Sequence, residues 1–356
     1  MVLSAGASGF IVHILSVEAR IARRRREESM KLPRRRFLHL AAGAAVLPAV
    51  SRTATAQVYP SRPITMVVPF AAGGPTDTLA RILATHMKGS LGQTVVIENI
   101  TGAEGSIGVG RIARAAPDGY TVSIGHWGTH VVSGATLALP YDLLKDFEPI
   151  ALLASGPQLV VGKNALPAND MRELIGWLKA NPNRTLAAIA GSGSHIAWAF
   201  VENLTGTRAQ FVPYRGAAPA LQDLVAGHVD VMCTQALSAL ALVRDGKIKA
   251  FAVTASTRLS IAPDIPTAEE AGVAGLQISY WHGVWAPKRT PNDVIARLNA
   301  AVVDALANPT VQQRLRDLAQ EIPAREEQTP EALAVFHRAE IEKWWPIIKE
   351  TGVKVN

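Results

Sequence analysis

The sequence predicts an α/β chain of two Rossmann-like lobes around a cleft, and three observations support this. Short apolar runs alternate with helical patterns, which implies a parallel sheet covered on both faces. A unit of strand, small-residue loop and helix occurs in both halves. The residues from 57 onward, about 300, are too many for one compact core and suit two lobes.

The elements follow in order. Residues 64–69 (Ile-Thr-Met-Val-Val-Pro) read as a buried strand. Gly73-Gly74-Pro75-Thr76-Asp77 follows, then a helical pattern through Leu79, Ile82, Leu83 and Met87. Residues 94–98 and 121–125 are further strands, the first leading to a second Gly-rich loop at 102–106 before a helix. The pattern then repeats, with strands at 158–161, 186–190, 209–212, 229–233 and 248–253. Helices are predicted at 171–180, 196–204 and 217–226. A turn-rich stretch precedes an aromatic strand at 277–286, and the tail is helical at 291–306, 311–318 and 330–349. Proline is expected to open these three tail helices at or near 291, 309 and 330. Strand-like segments near 150–161 and 277–286 are where the chain is expected to pass between lobes. Lobe 1 is then residues 57–156 plus 279–356, and lobe 2 is residues 157–278.

The first 56 residues address the chain. Pro33-Arg34-Arg35-Arg36-Phe37-Leu38 is a twin-arginine block, followed by a small-residue apolar run at 40–50. Ala54-Thr55-Ala56 is an A-x-A site, which puts cleavage before Gln57. This order reads as a removable export signal of the twin-arginine route, delivering a protein to the bacterial periplasm. A membrane anchor needs about 20 apolar residues, more than this run holds. Residues 1–29 precede Met30, from which a leader of ordinary length would run, so Met30 is read as the true start.

Removing the leader changes the charge. Residues 1–56 hold ten of the 36 basic and three of the 29 acidic groups, leaving 26 of each in the remainder. The basic balance belongs to the leader and gives no ground for nucleic-acid binding. Cys233 is the single cysteine, so neither an internal disulfide nor a zinc site needing two thiolates can form. It reads as a small buried apolar residue.

Two loops carry the functional reading. Glycines at 73 and 74 let the backbone turn tightly, and the helix that follows presents unpaired N–H donors and a positive dipole end to an anion. Gly191-Ser192-Gly193-Ser194-His195 repeats that arrangement in the second half, with two hydroxyls as extra donors. Each loop alone is equally well an ordinary capped helix start. Together, one per lobe, they would hold a carboxylate from both sides. Neither loop continues as G-x-G-x-x-G, and neither H-E-x-x-H nor G-x-S-x-G occurs, so no dinucleotide cofactor, metal or catalytic residue is assigned. His126 and His130, four apart, suit one helical face but lack a nearby carboxylate or thiol at ligand spacing. Trp281, His282 and Trp285 would either floor a pocket or fill the core.

A resemblance then enters on specific segments. They are Tyr59-Pro-Ser-Arg-Pro-Ile64, Val68-Pro-Phe-Ala-Ala-Gly-Gly-Pro-Thr-Asp77, Gly92-Gln93, Glu98-Asn99 and Gly102-Ala-Glu-Gly105. Further on come Pro117-Asp-Gly-Tyr-Thr121, Val212-Pro-Tyr-Arg-Gly216, Asp264-Ile-Pro-Thr267 with Glu270-Ala-Gly272, and Ala286-Pro287. Over nearly the whole chain from Tyr59 this resembles the solute receptors of tripartite tricarboxylate transporters, the Bug receptors. The resemblance implies a type II periplasmic binding protein architecture, a monomer, and delivery of a small carboxylate to one small and one large membrane permease subunit. It implies no enzyme activity. It places Phe70, Gly73, Gly74, Asp77, Ser192 and Ser194 at the solute, and Gly191, His195, Thr129 and Trp281 are added as candidate neighbours. Asp77 either meets an amine or hydroxyl of the solute or only caps its helix. His126-Trp127-Gly128-Thr129-His130 departs from the small polar residues usual there and favours an aromatic or larger carboxylate. Two other outputs fit the sequence. One is a receptor read by a membrane sensor kinase; the other is an exported enzyme, for which only His126, His130 and His195 offer a base.

Overall fold

A computed structural model describes residues 59–350. The twin-arginine block, Met30 and the cleavage residues Ala54, Ala56 and Gln57 lie outside the described residues. Within them, β1 (Ile64–Val68) runs into α1 (Pro75–Leu91), β2 (Val95–Asn99), α2 (Ser106–Ala113) and β3 (Thr121–His126). A π-helical turn, Gly128–Val132, continues into one α-turn, Ser133–Thr136. Then come β4 (Phe147–Lys163), α3 (Met171–Ala180), β5 (Leu186–Ile189), α4 (Ser192–Thr205), β6 (Gln210–Pro213) and α5 (Ala217–Ala226). The chain closes with β7 (Val231–Gln235), α6 (Ala236–Arg244), β8 (Ile248–Val253), β9 (Ser279–Pro287), α7 (Asn292–Ala307), α8 (Pro309–Asp317) and α9 (Pro330–Glu350).

The strand order is β2-β1-β3-β9-β4-β7-β5-β6, with β8 also on β4. β1 pairs β2 and β3 in parallel, and β5 pairs β6 and β7 in parallel, as the alternation of strands and helices predicts. The centre departs from that prediction. β9 is antiparallel to both β3 and β4, and β4 is antiparallel to β7 and β8, so the sheet is mixed. The reason lies in β4, a single long strand. Its first part pairs β9, from Phe147 to Pro157, and its last part, from Gln158, pairs β7 and β8. Register shifts at Pro149/Ala151 and Leu152/Ala154 bend it within the part that pairs β9.

Each parallel strand is short, apolar and covered. In β1, four of five residues are buried, and Ile64, Met66 and Val68 pack against Leu79, Leu83 and Met87 of α1. Burying one such side chain stabilises by about 1.5–3 kcal/mol. α1 opens with Pro75, whose missing N–H is no loss at a first turn, and ends at Gly92 in the left-handed region (φ 70°). α7 starts one residue later than expected, with Pro291 preceding the helix rather than inside it. α6 was not predicted: Ala236–Arg244 lacks a side-chain cap and reads in sequence as one apolar run. The core falls into three clusters. One lies around β1, α1 and α7, a second around β7, α5 and α6, and a third, rich in tryptophan, joins Trp127, Trp198, Trp281, Trp285 and Trp344. Among the described residues no helix is long and apolar enough to cross a membrane.

Candidate functional site

β1 delivers the chain to the loop at 69–74. Gly73 takes φ 79°, a left-handed conformation that other residues adopt only with strain, and Gly74 caps α1 with no side-chain acceptor. The loop is locked from within by Asp77. Its carboxylate accepts hydrogen bonds from Gly73 N–H (2.9 Å), Arg81 Nε (2.8 Å) and Nη2 (3.0 Å), and Asn99 Nδ2 (3.0 Å). Asn99 Nδ2 also donates to the Phe70 carbonyl at 3.0 Å. Burial by itself raises the Asp77 carboxyl. The hydrogen bonds from Arg81, Gly73 and Asn99 outweigh it and hold the group below its usual range. Asp77 is thus paired within its own loop, and its charge is answered by Arg81.

The second loop follows β5. Gly191 caps α4 with φ 123°, and a Cβ there would meet the Phe70 ring at 2.9 Å. Ser194 Oγ accepts from Ala190 N–H at 2.7 Å and donates to the Gly191 carbonyl at 3.0 Å, closing the turn. A third loop, present in the sequence reading only as the Val212–Gly216 segment of the resemblance and not assigned to the site, follows β6. Ala71 N–H donates to the Arg215 carbonyl at 3.1 Å, a direct backbone bond from the first loop to this one. Gly216 caps α5, again without a side-chain acceptor. A Cβ on Gly74 would stand 3.9 and 4.0 Å from the Ala217 and Ala218 nitrogens, so the starts of α1 and α5 face each other. Two helices away from this region are capped differently: Asp170 caps α3 and Asn308 caps α8, each through its side chain.

Between these loops lies a cavity of about 30 Å³. Phe70, Pro75 and Thr76 line it from the first loop, Ala190 and Ser194 from the second, and Ala217 from the third. His126, Gln158, Met232, Thr234, Gln235 and Tyr280 complete the wall. No Lys, Arg, Asp or Glu is among the lining residues. His126 stacks on Phe70 (ring centroids 4.8 Å apart) and lies 3.4 Å from Tyr280 Oη through Nε2. Its Nδ1 accepts the Thr129 backbone N–H at 3.2 Å, which leaves the ring proton on Nε2. Burial, reinforced by His282, pushes the His126 pKa well down, so the ring is neutral.

Several predicted residues therefore meet, and others do not. Phe70 and Ser194 line the cavity, and Gly73, Gly74, Asp77 and Gly191 shape the two loops beside it. Ser192 turns to Ser133, with the hydroxyls 2.9 Å apart. The Thr129 hydroxyl serves the π-helical turn, accepting from His126 N–H at 3.1 Å and lying 3.0 Å from His130 Nδ1. His195 faces Glu104 at 3.6 Å and the edge of Phe211. Trp281 donates Nε1–H to Glu340 at 2.9 Å and borders a separate groove, because alternate residues of β9 face opposite ways and Tyr280 takes the cavity side. His126 and His130 do not act together. His130 stacks on Trp285 in the core, 3.8 Å between ring centroids. Thr76, Gln158, Thr234, Gln235 and Tyr280 were not among the predicted site residues. For the two glutamines a signal existed: each is the single side-chain amide of its strand.

The site's surroundings match known proteins. Residues 79–353 match the family described as "Tripartite tricarboxylate transporter family receptor". A protein of the ttuE–ttuC' intergenic region of Agrobacterium vitis is 34% identical over 330 residues, covering 92% of this chain and 95% of that one. The periplasmic binding protein BugD superimposes with a TM-score of 0.81 at 39% identity, covering 83% of this chain and 99% of BugD. MatC from Rhodopseudomonas palustris, solved with bound malate, gives 0.79 at 41% identity, covering 82% of this chain and 100% of MatC. With uncapped helix starts gathered on one small cavity, and with these likenesses running almost from end to end, the chain belongs to the tripartite tricarboxylate transporter receptor family.

Proposed function

We propose that this protein captures a small carboxylate in the periplasm and delivers it to a membrane permease of one small and one large subunit, performing no chemistry on it. The observation that carries the reading is the convergence of three glycine-capped helix starts, α1, α4 and α5, on one cavity with no cationic side chain. Each start offers unpaired N–H groups and roughly half a unit of positive charge. A carboxylate supplies the acceptors these caps lack. MatC, similar over nearly all its length, is known with malate bound.

The lobes of the proposed cycle are residues 57–156 with 279–356, and 157–278, moving as a monomer about β4 and β9. A hollow of about 30 Å³ holds roughly two waters. A four-carbon acid is larger, so entry requires the loops to part. Closure then excludes water and strengthens the charge–dipole bonds, and it proceeds only as far as the solute prefers the closed form. Micromolar affinity needs about 8 kcal/mol, within reach of a few charge-assisted bonds in an enclosed site. Export by the twin-arginine route, with cleavage before Gln57, brings the folded receptor to its compartment.

Gly74 provides the test. Its backbone is extended (φ −80°, ψ 176°), and a Cβ there meets nothing closer than the Ala71 carbonyl at 3.5 Å, so Gly74→Asp is expected to fold. Its carboxylate would sit at the α5 start and repel the solute. Thermal-shift titration with mono-, di- and tricarboxylates is expected to raise the melting temperature of the wild type and leave the variant unmoved. Equal affinity in the two proteins would overturn the proposal.

A further inference from the structure

Gln158 and Gln235 are direct partners across the antiparallel β4–β7 ladder, so their side chains rise from the same face of the sheet, and both line the cavity. They are 1% and 5% exposed. Their backbones are tied down. Gln158 N–H donates to Thr254 Oγ1 and its carbonyl accepts Thr254 N–H, both at 2.9 Å, while the Gln235 carbonyl accepts the Ser238 hydroxyl at 3.0 Å. Their amide heads are not. Gln158 Nε2, Gln158 Oε1 and Gln235 Oε1 reach no hydrogen-bond partner among the described residues. Leaving buried amide groups unpaired costs stability, and a lone Leu or Met would fit these strands without that cost. Two such groups side by side, aimed into a hollow the solute is proposed to enter, mark a recognition surface.

The chemistry of the pair decides what it recognises. A carboxylate only accepts hydrogen bonds, so whichever way the two amides are turned it leaves the Gln158 carbonyl oxygen without a donor. An ammonium would meet the amide oxygens but finds no counter-charge, since no acidic residue lines the cavity and Asp77 is held by Arg81. A hydroxyl both donates and accepts. Turning either amide over exchanges its donor for its acceptor, and Gln158 presents one of each in both orientations. Resting on the carboxylate reading above, we infer that Gln158 and Gln235 select a solute carrying a hydroxyl beside its carboxylate. The helix starts take the charge and the two amides read the hydroxyl.

Calorimetric titration with two matched pairs tests this: malate against succinate, and 3-hydroxybutyrate against butyrate. For wild type, at least one hydroxy acid is expected to bind about tenfold tighter than its deoxy partner, the scale of leaving buried polar groups unpaired. Gln158→Leu and Gln235→Leu are each expected to bring that ratio below about threefold by weakening the hydroxy acid alone. The ligand-free Gln158→Leu protein is expected to melt no lower than wild type, because the substitution removes unpaired buried groups; a purely structural glutamine would give the opposite. Deoxy acids that bind wild type as well as their hydroxy partners overturn the inference and leave the carboxylate reading standing. So does a preference that survives in both variants. Wild type that binds none of the four acids overturns the inference, while the carboxylate reading falls only if the wider carboxylate screen also leaves its melting temperature unmoved.

Discussion

Asp77 and Gly191 show how single residues set the shape of the site without needing to touch a solute. Asp77 gathers four hydrogen bonds from Gly73, Arg81 and Asn99, while only 2% of its surface is exposed. Asp77→Ala leaves the Gly73 N–H and the Asn99 amide without this acceptor and is expected to cost about 2–3 kcal/mol in urea unfolding. Gly191 is constrained twice, by φ 123° and by the Phe70 ring 2.9 Å from any added Cβ. Gly191→Ala is expected to lower stability by about 1–3 kcal/mol and to weaken carboxylate binding by displacing Phe70. Gly206, also left-handed at φ 66°, has nothing within 4 Å of an added Cβ. Gly206→Ala is therefore expected to cost about 1 kcal/mol and leave the dissociation constant unchanged, which separates backbone strain from damage to the site.

At the scale of elements, helices finished by their own side chains contrast with the three that start at the cavity. Asp170 accepts the Glu173 N–H at 2.8 Å and Glu173 returns a bond to Asn169 N–H at 2.7 Å, so α3 is finished by its own side chains. Asp170→Ala is expected to cost about 1 kcal/mol in thermal unfolding with no change in solute affinity. The glycine-capped helices α1, α4 and α5 lack such acceptors, and a bound carboxylate is expected to stabilise them in particular. That contrast was partly legible in sequence. Gly73-Gly74-Pro75 and Gly191-Ser192-Gly193-Ser194 announce themselves because glycine and proline punctuate a chain locally. Gly216 was quoted only as part of a motif, since the approach of its loop to Ala71 depends on tertiary packing. The bounds of α3, α5 and β8 agree with the sequence reading, because Asp170, Gly227 and the apolar runs are local signals. The antiparallel centre did not show itself: strand direction is set by how the chain returns, and no periodicity encodes that. Gln158 and Gln235 come together only through strand register across 76 intervening positions, and Trp281 faced away because the phase of β9, not its composition, selects Tyr280.

For the whole molecule, two properties follow from how it is closed. The first is acid sensitivity. His126, His130, His282 and His337 are all buried, and burial holds each below the ordinary histidine value, to about 3 for His282 and about 4 for His337. The unfolded chain takes up protons near 6.5 that the folded chain refuses, so stability is full above that value and is lost as pH falls below it. Urea unfolding at pH 7 and pH 5 is expected to show a fall approaching 1.4 kcal/mol per pH unit for each histidine. The second is the backbone bond from Ala71 to Arg215, which fastens the first loop to the third. A Cβ on Gly216 would stand 3.3 Å from that of Ala71, near disulfide range. The double variant Ala71→Cys with Gly216→Cys is expected to lock the loops when oxidised and exclude solute, and to bind again when reduced. Cys233, fully buried and with its thiol pushed up by burial, should not interfere.

The rings that back the cavity also connect it to the tryptophan-rich core. Phe70 stacks on His126, His126 meets Tyr280 at 4.7 Å, and Tyr280 meets Trp127 at 5.7 Å, where Trp127 is wholly shielded from solvent. A solute that shifts Phe70 is therefore expected to alter the surroundings of a chromophore inside. The protein carries its own optical gauge: occupancy should be readable from intrinsic emission, without dye or label.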